Sequence, residues 1–126
     1  MVPRGTRTRT TPEGFVLGAL MEYLAARRIF ALRMNSGAIR MAAQNGRTRV
    51  FKGHEAGTAD ILAFQPLDTR PGLLFAKGEV RPVWIEAKAP NGIQSELQKL
   101  FQIKVESEGH RYILARGIED LRDAGL

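Results

Sequence analysis

The chain has 126 residues, 44% hydrophobic and 25% charged, the balance of one globular domain with no room for a second of ordinary size. Without cysteine there is no disulfide framework and no thiolate ligand or nucleophile, and His54 and His110 lie too far apart for a zinc motif. Nineteen Lys and Arg against 13 Asp and Glu leave a net charge of +6, which favours polyanionic partners, with nucleic acid the commonest of them.

Residues 1–10 read as a basic, flexible arm: Arg4, Arg7 and Arg9 are spaced by Thr, Pro and Gly with no acid among them. The single domain is expected over 11–126. It opens with a helix, since Thr11 can cap, Pro12 suits the first helical position and Glu13 the first turn; the helix should run to about Arg28, with Leu17, Leu20 and Leu24 as its stripe. The apolar run "FVLGALMEYLAA" is broken by Glu22 and falls short of the roughly 20 residues a membrane span needs. No signal peptide is visible, so a cytoplasmic protein without a membrane partner is expected.

"IFALRMNSG" reads as a strand ending in a turn and "RTRVFK" as a second strand, with "NSGAIRMAAQNG" between them as a hairpin excursion. "GTADILAFQP" is a third extended segment, and the Gly and Pro of "LDTRPGLLFAKGEVRP" mark a hairpin connection. "VWIEAKAP" is the next strand, then a turn and a helix with Leu97, Leu100, Phe101 and Val105 as its stripe, a last strand at "HRYILAR" and a short closing helix. Helix, strands, helix, strand, helix implies an α/β fold, a mixed sheet flanked by helices, with a right-handed crossover from the Val83 strand to the Tyr112 strand.

"VWIEAKAP" sets the chemical question. Alternation puts Val83, Ile85 and Ala87 on an apolar face and Trp84, Glu86 and Lys88 on the other, with Glu86 and Lys88 about 7 Å apart along the strand. If the Asp60 and Glu86 strands pair, their carboxylates meet at one edge of the sheet. Two carboxylates so placed repel unless a cation lies between them, and an all-oxygen site with a backbone carbonyl and water suits Mg²⁺ or Mn²⁺. Such an ion can polarise a phosphodiester and acidify water, while Lys88 stabilises developing negative charge. By itself this pattern is a weak signature, since amphipathic strands often carry Glu and Lys as a solvated cross-strand pair, and Glu13 could face this site or merely complement its helix dipole.

Taken together, "PEGFVLGALMEYL", "MNSGA", "GTADILAF" and "VWIEAKAPNGIQSELQKLF" resemble the VRR-NUC family, the virus-type replication-repair nucleases of the PD-(D/E)xK superfamily. The resemblance runs from about Thr11 to Leu121. It rests on the order Glu13, Gly57-x-x-Asp60, Glu86-x-Lys88 and a glutamine, Gln98, ten residues after the lysine. It implies a restriction-endonuclease-like core of order αβββαβ with an extra C-terminal helix. It also implies Asp60 and Glu86 as Mg²⁺ or Mn²⁺ ligands with the Ala87 carbonyl as a third, Lys88 as the catalytic lysine, Glu13 as an auxiliary acid and Gln98 as a helix residue facing the site. Many relatives have proline before the motif aspartate; here it is Ala59.

Gln94 and Gln102 lie four residues either side of Gln98 and share nearly the same helical face, and any of the three could instead face solvent; the ten-residue spacing favours Gln98. Arg33, Asn35, Ser36, Arg47, Arg49 and Lys52 are candidates for contact with a nucleic-acid backbone, or ordinary surface polarity. Trp84 and His110 read as packing and structural residues, and His54 as a loop residue. The family resemblance implies a metal-dependent DNA endonuclease of bacterial or phage replication and repair, selective for branched or four-way DNA and apt to form a homodimer. The alternative is a non-catalytic nucleic-acid-binding module that keeps the fold.

Overall fold

A computed structural model describes residues 11–34, 38–42, 48–52, 56–67 and 79–126, the second and third segments as backbone only. Helix α1 (Pro12–Ala26) begins as its sequence dictates: the Gly14 N–H donates to Thr11 Oγ1 (3.0 Å), and Pro12 occupies the first turn, where no N–H is needed. It stops at Ala26, short of the expected Arg28, which adopts a left-handed φ of 58° and turns the chain into β1 (Ala31–Arg33). Strands β2 (Ala38–Ala42) and β3 (Thr48–Lys52) follow, then β4 (Ile61–Pro66), β5 (Val80–Ala87), helix α2 (Glu96–Ser107), β6 (Arg111–Ala115) and helix α3 (Ile118–Asp123).

The main sheet is four-stranded, in the order β1-β4-β5-β6. β4 is antiparallel to β1 and to β5, and β6 is parallel to β5, as a crossover through α2 requires. Among the described residues the fold is therefore α/β with a mixed, open sheet and three helices. Five strands precede α2 rather than three, because β2 and β3 pair antiparallel with each other in a sheet of their own. The "RTRVFK" strand thus belongs to that hairpin and not to the main sheet. The N-terminal arm and most of the connection before β5 lie outside the described residues.

One face of the sheet is apolar and buried. Ile61, Ala63, Val83, Ile85, Ala87 and Ala115 meet Leu20 and Leu24 of α1 and Leu121 of α3. The expected alternation of β5 holds, with Val83, Ile85 and Ala87 all buried on this side. On α1 the innermost stripe is Val16, Leu20 and Leu24, so two of the three expected residues hold their place and Leu17 lies at the margin, half-buried against the core. Tyr23 Oη donates to the Leu126 carbonyl (2.7 Å), and Arg111 Nη1 donates to the Ala124 carbonyl (2.8 Å), so the segment after α3 is tied to both α1 and the sheet.

The opposite face carries Trp84 and Tyr112 in register and is covered in part by α2. Trp84 packs edge-on against Phe101 (5.0 Å between ring centres) and donates from Nε1 to His110 Nδ1 (2.9 Å). Both therefore have the structural roles expected of them. The stripe expected on α2 divides: Phe101 and Val105 turn inward, whereas Leu97 and Leu100 are 52% and 61% exposed. The inward positions go instead to glutamines, because this part of the sheet presents polar partners.

Candidate metal centre

Asp60 immediately precedes β4, and Glu86 is the penultimate residue of β5. The ladder pairs Ile61 with Ile85, so Asp60 stands opposite Glu86 and the two project to the same face. Asp60 is fixed from both sides: its carbonyl accepts from the Met34 N–H (2.7 Å) and its Oδ2 from the Ala87 N–H (2.8 Å). Glu13, in the first turn of α1, completes a group with Asp60 and Glu86 in which one oxygen from each lies within 4.8 Å of the others. That separation is one a single divalent ion could bridge, although clusters of acids also occur without one.

Lys88 follows β5 and is folded inward. Its Nζ lies 3.7 Å from Glu13 Oε1 and 3.7 Å from Glu86 Oε1, a cation between two acids. Glu13 thus joins the carboxylate group and does not only complement its helix dipole. Its side chain is 48% exposed, whereas Glu86 as a residue is 2% exposed.

Glu86 carries the electrostatic strain of the arrangement. Burial pushes its carboxyl from 4.5 up to about 8; the Asp60 charge adds to the rise and Lys88 opposes it. Its Oε1 accepts from Gln98 Nε2 (3.0 Å). Its Oε2 is the one buried side-chain polar atom without a partner among the described residues. Hydrogen bonding between the Glu86 and Asp60 side chains also raises the Glu86 carboxyl, so a proton shared by the two acids and a cation between them both answer to this arrangement. The donors are carboxylate oxygens, a set suited to hard cations in general.

The structure separates the three glutamines. Gln98 reaches Glu86, while Gln94 Nε2 donates to Gln102 Oε1 (2.9 Å) and to Tyr112 Oη (3.1 Å), making a polar seam beneath α2. Tyr112 is held neutral, its hydroxyl pushed up to about 12 mainly by burial, with Gln94 opposing and the Glu86 and Asp60 charges adding. This seam was not anticipated from sequence. The capping box of α2 was not anticipated either, although Ser95-x-x-Gln98 spells it: Ser95 Oγ accepts from the Gln98 N–H (3.2 Å) and Gln98 Oε1 from the Ser95 N–H (2.8 Å).

Among the candidate nucleic-acid contacts, Arg33 is exposed on β1 and pairs in register with Ile61, one residue from Asp60. Arg49 and Lys52 lie on β3, with side chains outside the described residues; Asn35, Ser36 and Arg47, like His54, lie outside them altogether. Ala59, directly before Asp60, is fully buried. Ala87, whose carbonyl is the expected third ligand, donates its N–H to Asp60 Oδ2. No helix among the described residues is long and apolar enough to cross a membrane. No family model, curated protein or solved structure matches the chain.

Proposed function

We propose that this chain is a Mg²⁺- or Mn²⁺-dependent DNA endonuclease with a restriction-endonuclease-like core, of VRR-NUC type, acting on branched or four-way DNA, with a homodimer as its working form. One observation carries the reading: Asp60, Glu86 and Glu13 converge within 4.8 Å beside the Lys88 ammonium, with one Glu86 oxygen buried and unpartnered. The net charge of +6 supports a polyanionic substrate.

Asp60 and Glu86 would hold the ion, with the Ala87 carbonyl as a third ligand and Glu13 acting directly or through water. When bound, the ion supplies Lewis acidity at a phosphodiester oxygen and acidifies water. The protein's own part is alignment and charge. The Ala87 N–H fixes Asp60, the Gln98 amide fixes Glu86, and the backbone of β5 sets the distance between the acids. Lys88, held close to both Glu13 and Glu86, offers its ammonium to the phosphate oxygens as negative charge develops. Water oxygen bonds to phosphorus, the bond to the 3′ oxygen breaks, and that oxygen leaves with a proton, so that the products are a 5′ phosphate and a 3′ hydroxyl.

The test is incubation of the purified protein with labelled linear, flapped and four-way DNA in Mg²⁺ and in Mn²⁺, beside Asp60→Ala. Cleavage is expected with wild type in at least one of the metals, strongest on branched DNA, and none with Asp60→Ala. DNA binding without cleavage in either metal would favour the non-catalytic binding module. Absence of both binding and cleavage would remove nucleic acid as the substrate.

A further inference from the structure

The first turn of α2 touches Glu86 and the turn that leads into Asp60. On one side stands Gln98, whose amide is fixed at each end: Oε1 accepts the Ser95 N–H (2.8 Å) and Nε2 donates to Glu86 Oε1 (3.0 Å). A flipped amide would set Nε2 against the Ser95 N–H and Oε1 against a carboxylate oxygen, two repulsive contacts in place of two bonds. The helix cap therefore makes Gln98 present a donor to Glu86; Oε1 receives it, and Oε2 is left without a donor.

On the other side stands Gly57. Its φ of 92° is strained for any side chain, and a Cβ there would lie 2.5 Å from the Leu97 carbonyl oxygen and 2.6 Å from the carbonyl carbon. The turn leading into Asp60 thus rests on the helix backbone one residue before Gln98. The circuit closes through the sheet, because Asp60 Oδ2 accepts the N–H of Ala87, the neighbour of Glu86.

We propose that the first turn of α2 is the positioning element for the metal centre, with Gln98 orienting Glu86 through its amide and Gly57 seating the Asp60 turn against the Leu97 carbonyl. Neither residue touches reacting atoms; both are positioning residues that set the separation and the free lone pairs of the two acids. The inference rests on the metal-dependent reading.

The experiment compares wild type with Gln98→Met, Gly57→Ala and Val105→Ala, using titration calorimetry with Mn²⁺, the electron paramagnetic resonance spectrum of bound Mn²⁺ and thermal unfolding without metal. Gln98→Met keeps length but not the donor, and Val105→Ala loosens the same helix at a buried site away from the acids. Gln98→Met and Gly57→Ala are expected to raise the Mn²⁺ Kd about 10- to 100-fold, as loss of an orienting partner does, and to alter the spectrum of the bound ion. Val105→Ala is expected to lower the unfolding temperature while its Kd stays within about threefold of wild type, since distant sites act independently. If wild type binds Mn²⁺ and Gln98→Met binds it equally well, the positioning role is overturned and the metal reading stands. If Val105→Ala weakens Mn²⁺ as much as Gln98→Met, α2 acts only through general stability and the proposal is equally overturned. If wild type binds no Mn²⁺, the metal reading fails and takes this inference with it.

Discussion

Replacing Glu86 by Gln tests the electrostatics of the centre without needing a substrate. Glu86 is 2% exposed, and its carboxyl stands near 8 against 4.5 for an ordinary glutamate. Between those limits the folded chain holds a proton that the unfolded chain has released. Folding stability from this group is therefore complete below pH 4.5 and is lost as pH rises through about 8. At ~1.4 kcal/mol per pH unit, the rise from 4.5 to about 8 corresponds to about 5 kcal/mol. That is a large part of the 5–15 kcal/mol roughly typical of a whole domain. Urea unfolding in the presence of EDTA, followed from pH 4.5 to 9, should show the wild-type stability falling by about this amount relative to Glu86→Gln. Saturating Mn²⁺ at pH 8.5 should restore the wild type, because binding to the folded state alone adds stability, and should do little for Glu86→Gln. Parallel curves for the two proteins in EDTA would refute the buried-acid reasoning outright.

The same proton gives a second prediction. Mn²⁺ binding near pH 7 should release about one proton per ion, and affinity should climb until about pH 8; calorimetry in buffers of different ionisation enthalpy reads this directly. Lys88→Ala should leave Mn²⁺ binding measurable but lower cleavage by about 10²- to 10³-fold, the scale of one lost charge-stabilising donor. Unchanged cleavage would remove the lysine from the chemistry. Because Trp84 is the only tryptophan and packs beneath α2, its emission should shift to the red when that helix undocks. His110→Ala should weaken this packing by about 1 kcal/mol through loss of the indole hydrogen bond, which denaturation followed by fluorescence would measure. The homodimer is checked by light scattering at several protein concentrations.

What could be read from the chain in advance was whatever a short-range period encodes. The two-residue alternation of β5 assigned Val83, Ile85 and Ala87 to the core and Glu86 to the other face, and the Thr11-Pro12-Glu13 start of α1 is a local signal. The meeting of Asp60 with Glu86 required a ladder between two strands separated by a long connection, so it followed from an assumed pairing and not from any pattern within either strand. The α2 stripe failed for a related reason. Apolar periodicity assumes an apolar receiving surface, but here the sheet offers a carboxylate and a phenol, so Gln98 and Gln94 turn inward and Leu97 and Leu100 outward. β2 and β3 carried recognisable turn signals, yet nothing local shows that they pair with each other and leave β1 to β4.

The three acids are not held with equal stiffness. β5 is hydrogen-bonded along both flanks, so Glu86 cannot shift without opening ladders to β4 and β6, and Asp60 is pinned by two backbone N–H groups. Glu13 hangs from the first turn of a helix, half in solvent, with Lys88 as its neighbour. A cation admitted here would meet two rigid walls and one hinged one. The step from a small ion with oxygens at about 2.1 Å to a larger one at about 2.4 Å would be absorbed by rotating a single side chain. Tolerance towards ion size would then reside at position 13, where restraining the glutamate should narrow the range of metals accepted.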